Sequence, residues 1–292
     1  MAGPAASGWR EEIVRFECAG DRLLGILTRP TGPIETGLVI LPGGSQYRVG
    51  AHRQNVLLAR ALADQRVATF RFEGRGMGDG EGAHSGFTAL GPDIGAAVAA
   101  LRSALPGLDR VILYGLCDAA TAIALDFPTT TADGAILINP WVRSDQTLAA
   151  AHIHTHYPRQ ALSPAFWRKL LSGRINPWTK LREILAAFAK SRQRSPADTL
   201  ADRLFAALCS FDRQVLLLLS GRDMTAAEFE GAVLARLTSP PPAHLAVVRV
   251  GEADHTFSRA DWWQAALGQI QGWLSQQPQR EHPPRPGSRA CR

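Results

Sequence analysis

From Gly37 onward the chain alternates short apolar runs with amphipathic stretches. The runs are Leu38–Leu41, Val67–Phe72, Val111–Tyr114, Ala135–Ile138, Val215–Leu219 and Leu245–Val250. Helical spacing of apolar residues fits Arg53–Gln65, Pro92–Leu105, Ala119–Leu125, Ala226–Leu237 and, last, Arg259–Leu274. A strand apolar on both faces must be covered on both faces, and a helix between successive strands makes them parallel. The pattern therefore predicts an α/β fold with a mostly parallel central sheet flanked by helices. Ahead of it, Glu12–Cys18 and Arg22–Arg29 alternate apolar and polar residues around Ala19-Gly20-Asp21, the signal of an antiparallel hairpin.

With 292 residues, 46% of them hydrophobic, the chain can bury a large core without disulfides or metals. No run approaches the roughly 18 apolar residues of a membrane-spanning helix. Met1 to Arg15 lacks the basic-then-apolar layout of a secretory signal and already carries Glu11 and Glu12. Cys18, Cys117, Cys209 and Cys291 are scattered with no zinc-ligand spacing. Together these features predict a cytoplasmic protein with reduced thiols.

One interval breaks the alternation. Between Ile138 and Val215 lie about 75 residues, too many for an ordinary connection. Ser163-Pro164 reads as a helix N-cap and first turn, with Phe166, Trp167, Leu170 and Leu171 forming an apolar face before Gly173. A second helix fits Thr179–Lys190. The expected organisation is a core of 1–140 and 213–275, a helical cap inserted at 141–212, and a disordered tail at 276–292, rich in Pro, Gln and Arg.

The chemistry concentrates at strand ends. Val111–Tyr114 runs into Gly115-Leu116-Cys117-Asp118-Ala119 and then into a small-residue helix. This is the arrangement of a nucleophile elbow, in which small residues two before and two after the nucleophile permit a sharp, strained turn. The turn sets Cys117 at a helix N-terminus, where the dipole and free N–H groups favour a thiolate. Asp223 follows the strand Val215–Ser220, and His255 follows the next strand. Nucleophile, acid and histidine in this chain order match the α/β-hydrolase arrangement, with Asp223 fixing the tautomer of His255 and His255 taking the Cys117 proton. Asp254 is a rival acid, disfavoured because adjacent loop residues rarely turn their side chains toward each other.

An oxyanion hole needs N–H groups aimed at the developing charge. The Asp118 N–H is one expected donor. The other is expected from Pro42-Gly43-Gly44-Ser45-Gln46-Tyr47, with Gly44 favoured over Ser45. Ser45, Tyr47 and Trp141 are the expected substrate-binding residues. Gly74-Arg75-Gly76-Met77-Gly78-Asp79-Gly80 contains G-x-G-x-G, but it lacks the full dinucleotide register and an immediate helix, so no nucleotide is expected there. His152, His154 and His156 share no carboxylate or Cys ligand at a recognisable spacing and read as a polar stretch rather than a metal site. No cofactor is expected.

Several segments together resemble one family. They are Pro42–Gln54, Phe70–Asp79, Tyr114–Asp118, Asn139–Arg143, Leu162–Gly173 and Asp254–Ser258. On these the chain resembles the exosortase A system-associated hydrolases of type 1, from the start of the sequence to about Leu274. The resemblance implies the α/β-hydrolase fold with a helical cap and a setting beside bacterial exopolysaccharide gene clusters. Two positions depart from the family pattern: Ala119 stands where Gly is usual, and Gly80 where Ser is frequent. The Cys-His-Asp set by itself is also similar to that of dienelactone hydrolases.

The leading expectation is a hydrolase that cleaves an ester or thioester through a Cys117 acyl-enzyme, the substrate being a small molecule or an acyl group on a glycan or carrier. Two alternatives stand beside it: an acyltransferase in which a sugar hydroxyl replaces water, and a non-catalytic binding protein of the same fold. No nucleic-acid partner is expected, and the oligomeric state is open. Between Trp141 and Phe205 eleven Lys and Arg face four acids, an excess larger than the +6 of the whole chain. Such a charged insertion steers an anionic substrate, touches an anionic membrane, or simply presents a solvated helix face.

Overall fold

Fourteen elements follow one another along residues 8–44, 46–143 and 199–277, which are the residues described in this computed structural model. They are β1 (Trp9–Cys18), β2 (Asp21–Pro30), β3 (Thr36–Leu41), α1 (Gln54–Ala63), β4 (Val67–Phe72), α2 (Gly91–Ala104), β5 (Arg110–Leu116), α3 (Asp118–Asp126), β6 (Gly134–Ile138), α4 (Leu200–Ser210), β7 (Gln214–Ser220), α5 (Met224–Ala232), β8 (Leu245–Val250) and α6 (Ala260–Gln276). Short 3-10 turns lie between some of them. All eight strands join one sheet in the order β1-β2-β4-β3-β5-β6-β7-β8. The β1–β2 and β2–β4 pairings are antiparallel, and every pairing from β4 through β3, β5, β6, β7 and β8 is parallel.

Alternation along each strand divides the core between the two faces of the sheet. Val39, Leu41, Phe70, Phe72, Leu113, Leu137 and Leu217 join one cluster, closed by Ile94 and Val98 of α2, Ile123 of α3 and Leu204 and Leu208 of α4. Leu38, Ile40, Ile112, Tyr114, Ile136 and Leu216 point the other way, onto Leu58 and Leu62 of α1 and Ile270 and Trp273 of α6. Each fully buried Leu, Ile or Phe contributes about 1.5–3 kcal/mol relative to exposure. Helix α4 lies within the stretch assigned above to the cap. Its Leu204 and Leu208 sit in the sheet's own core cluster, and a reciprocal capping box between Thr199 and Asp202 begins it.

Two helices start elsewhere than their periodicity predicts. Backbone at His52 and Arg53 is left-handed, with φ 51° and 60°, so α1 begins at Gln54. Helix α5 begins at Met224 because the Asp223 carboxylate caps it, accepting from Thr225 N and Ala226 N. It ends at Ala232 rather than Leu237; Val233 leaves helical geometry at φ −122°, and a 3-10 turn follows. Among the described residues, no helix is long and apolar enough to cross a membrane.

Parallel strands end on the same edge. The loops after β3, β5, β6, β7 and β8 therefore meet at one rim, carrying Gly43 and Gly44, Cys117, Asn139, Asp223 and His255 respectively. In α/β sheets this carboxyl edge is where ligands bind.

Candidate active site

Cys117 is the residue between β5 and α3, held at φ 63° and ψ −123°. A non-glycine residue at positive φ costs on the order of 1–3 kcal/mol and persists only when its surroundings enforce it. Here the Cys117 N–H donates to Ile138 O at 2.8 Å, and the Cys117 carbonyl accepts from Thr121 N and Trp141 N, each at 3.2 Å. The turn is closely packed. A Cβ on Gly115 would lie 2.7 Å from the Ala119 carbonyl carbon, and one on Gly43 would lie 2.4 Å from Leu116 O. Ala119 itself is buried, its methyl group packed inside the turn.

His255 reaches this turn from the loop after β8. Its Nδ1 pairs with Asp223 Oδ2 at 2.7 Å. Asp223 is oriented from behind, since Oδ1 accepts from Thr225 N at 3.1 Å and Oδ2 from Ala226 N at 3.2 Å. With Nδ1 taken, Nε2 is the nitrogen left to exchange a proton with Cys117. Burial pulls the imidazolium pKa down, but the hydrogen bond to Asp223 and the attraction of Cys117 more than reverse this and raise it to about 10. A raised folded-state pKa stabilises the fold fully below the ordinary value near 6.5, and that stabilisation fades as pH climbs through about 10. Urea unfolding midpoints of the wild type are therefore expected to fall from pH 6.5 to 10 more steeply than those of His255→Gln. Parallel curves would show that the His255–Asp223 pair carries no such linkage.

Asp254 is not the partner of His255. Its Oδ1 accepts from Ser258 N at 2.9 Å and Thr256 N at 3.3 Å, and Oδ2 accepts from the Ser258 hydroxyl, so this carboxylate closes its own turn.

Two expected site residues are placed differently from the sequence reading. The Gly44 N–H donates to Asp118 Oδ1 at 2.6 Å, so it is not free to meet an oxyanion. The short side chain next to the nucleophile reaches the glycine loop and occupies that donor. Tyr47 lies away from Cys117, in a groove shared with Glu11, Ile13, Arg60 and Arg71. Its hydroxyl donates to Asp79, and the Arg48 guanidinium stacks 4.2 Å above its ring. Arg48 in turn donates to Glu73 and Asp79 at 2.6 and 2.8 Å. Tyr47 thus helps fasten the loop after β3 to the loop after β4 and does not line the cavity at Cys117.

Other expectations fall differently. The Asp118 N–H has no acceptor among the described residues and remains available. Trp141 lines a cavity of about 400 Å³ together with Cys117, Asp118, His255, Gln46 and Phe87. Ser45, the histidines at 152, 154 and 156, and the helices expected at 163–173 and 179–190 lie outside the described residues. In the glycine loop after β4, the Arg75 N–H donates to Asp93, Gly76 N to Glu81 O and Gly80 N to Met77 O, so these donors are consumed internally. A Cβ on Gly80 would lie 2.6 Å from Gly74 O, so this position has no room for a side chain. A larger cleft, about 790 Å³, opens at the opposite edge of the sheet around Thr36, Arg110 and Gln271, and no cysteine or histidine among the described residues lines it.

Asn139 was not singled out by sequence reasoning. It is fully buried at φ 44° directly after β6. Its Nδ2 donates to Ser220 Oγ at 2.9 Å and to the His255 carbonyl at 3.0 Å, while Oδ1 accepts from Ser220 N at 2.8 Å. One side chain thereby ties the end of β7 to the histidine loop. Asn139→Ala leaves those partners unsatisfied and is expected to cost about 2–3 kcal/mol of stability in a urea titration; a loss below about 0.5 kcal/mol would deny Asn139 this role.

No family model matches the chain, and no curated protein matches it. Solved structures do. An esterase from Pyrococcus furiosus superposes with a TM-score of 0.63 at 13% identity, over 94% of this chain and 95% of that one. Est1E from Butyrivibrio proteoclasticus, with ferulic acid bound, gives 0.57 at 13%, over 90% and 98%. A serine hydrolase without a lid from Xanthomonas campestris gives 0.55 at 16%, over 92% and 97%. The fold is that of the α/β-hydrolases. In it the Cys117 turn occupies the end of the fifth strand, with Asp223 after the seventh and His255 after the eighth.

Proposed function

We propose that the protein is an ester or thioester hydrolase acting through Cys117, His255 and Asp223. The observation that carries this is the strained turn at Cys117 facing an imidazole whose far nitrogen is held by Asp223 at 2.7 Å. His255 takes the Cys117 thiol proton as the sulfur attacks the substrate carbonyl and forms a C–S bond, and the carbonyl oxygen becomes an oxyanion that the Asp118 N–H stabilises. As this intermediate collapses, His255 gives its proton to the leaving alcohol or thiol. His255 then takes a proton from water, which attacks the acyl-enzyme carbonyl, releases the acid and returns the thiol. No cofactor enters any step.

The bound or acted-upon groups named for the similar structures, an esterase and a ferulic acid complex, support an ester carbonyl as the reacting group. The sequence resemblance to the exosortase A system-associated hydrolases supports a setting beside a bacterial exopolysaccharide system; the scattered cysteines and the acidic first residues support a cytoplasmic place, and the substrate in this reading is an acyl group on a small molecule, glycan or carrier. Rapid mixing with p-nitrophenyl butyrate is expected to release a burst of about one nitrophenol per protein before steady turnover. A panel of esters and thioesters giving neither burst nor turnover would overturn the reading. Product analysis with a glycan acceptor present distinguishes hydrolysis, which yields free acid, from acyl transfer.

A further inference from the structure

The carboxylate of Asp118 has no part in the mechanism above, yet it lines the same cavity as Cys117 and His255. It is held in one orientation: Oδ1 accepts from Gly44 N at 2.6 Å and from Ala119 N at 2.9 Å. Its second oxygen, Oδ2, has no hydrogen-bond or ion-pair partner among the described residues. Much of the remaining wall is apolar, formed by Leu116, Phe87 and Trp141. A fixed, unpaired negative charge in a partly apolar cleft acts more strongly than it does in open water.

We propose that Asp118 is a specificity-determining residue, a charge filter that excludes acyl groups bearing a negative charge near the reacting carbonyl and admits neutral or hydrogen-bond-donating ones. The substrate class named by this proposal rests on the hydrolase reading. The charge effect itself does not, because any reagent that approaches the Cys117 sulfur meets the same carboxylate. The filter also gives the loop contact a second use. The hydrogen bond from Gly44 that removes an oxyanion donor is one of the two that pin the carboxylate in place. Asp118→Asn keeps an oxygen for both N–H donors and deletes only the charge, which makes it the informative variant.

Iodoacetamide and iodoacetate differ in charge but little in size. Their alkylation rates at Cys117 are read by peptide mapping, with the exposed thiol of Cys209 as internal reference in the same sample. The iodoacetate-to-iodoacetamide rate ratio at Cys117 is expected to rise about tenfold in Asp118→Asn, the scale of one unit charge lining the same partly hydrated cleft. The ratio at Cys209 is expected to stay constant. Raising ionic strength is expected to move the wild-type ratio in the same direction as the substitution, which needs no variant to fold. In turnover, mono-p-nitrophenyl succinate is expected to gain on p-nitrophenyl butyrate by a similar factor in kcat/KM. An unchanged Cys117 ratio in both the variant and the salt series would overturn the filter while leaving the hydrolase reading intact. Conversely, a shifted alkylation ratio without turnover of any ester would sustain the filter and sink the hydrolase reading.

Discussion

Cys117→Ala is expected to lower kcat/KM for any ester or thioester substrate by at least about 10⁴-fold, because among the described residues lining the cavity Cys117 alone carries a thiol or hydroxyl. A residual rate survives from binding and from the Asp118 N–H, in line with the about 10³–10⁴-fold that enzymes of this kind retain over water without a nucleophile. Stability is expected to change little. Alanine is smaller than cysteine at a half-buried position, and the backbone hydrogen bonds from Cys117 N to Ile138 and from Thr121 and Trp141 to the Cys117 carbonyl do not involve the side chain. A folded variant with undiminished turnover would rule out covalent catalysis at this residue.

The second large effect is expected at Asp223, which does two jobs that substitution separates. Its carboxylate holds His255 Nδ1, and the same two oxygens cap α5. Asparagine is an N-cap as good as aspartate, so Asp223→Asn is expected to keep the α5 cap and to lose only the stabilisation that the charged pair with His255 supplies, while kcat falls by about 10³–10⁴-fold through loss of the imidazolium's counter-charge and of the correct tautomer. Asp223→Ala removes the cap as well and is expected to lose about 1 kcal/mol in addition. If Asp223→Asn and wild type turned over alike, the 2.7 Å contact would be a structural hydrogen bond and nothing more.

These two residues were legible in the sequence because their positions follow from strand ends. Apolar runs mark where β5, β7 and β8 stop, and parallel pairing brings those stops to one rim. The elbow was legible because its small neighbours are a steric requirement, visible in the 2.7 Å approach a side chain on Gly115 would make. What spacing does not reveal is where a side chain reaches across the rim. Gly44 reads as a donor to substrate until Asp118, 74 residues away, takes its N–H. Tyr47 reads as a pocket residue until Asp79 and Arg48 claim its hydroxyl and its ring. Asn139 is an ordinary strand-end asparagine in the sequence. Its use depends on a left-handed backbone and on partners 81 and 116 residues on. The capping role of Asp223 likewise shifts the start of α5 from the position that hydrophobic periodicity indicates.

In the proposed reaction every substrate acyl group passes through the sulfur of Cys117. Intact-mass measurement tests it most directly: the full chain is incubated with a panel of short acyl esters and thioesters, quenched in acid within the first turnover, and mapped by peptide. A mass increase of one acyl group is expected on the peptide carrying Cys117, absent from Cys117→Ala. An adduct on a different residue, or equal labelling of wild type and Cys117→Ala, would contradict it.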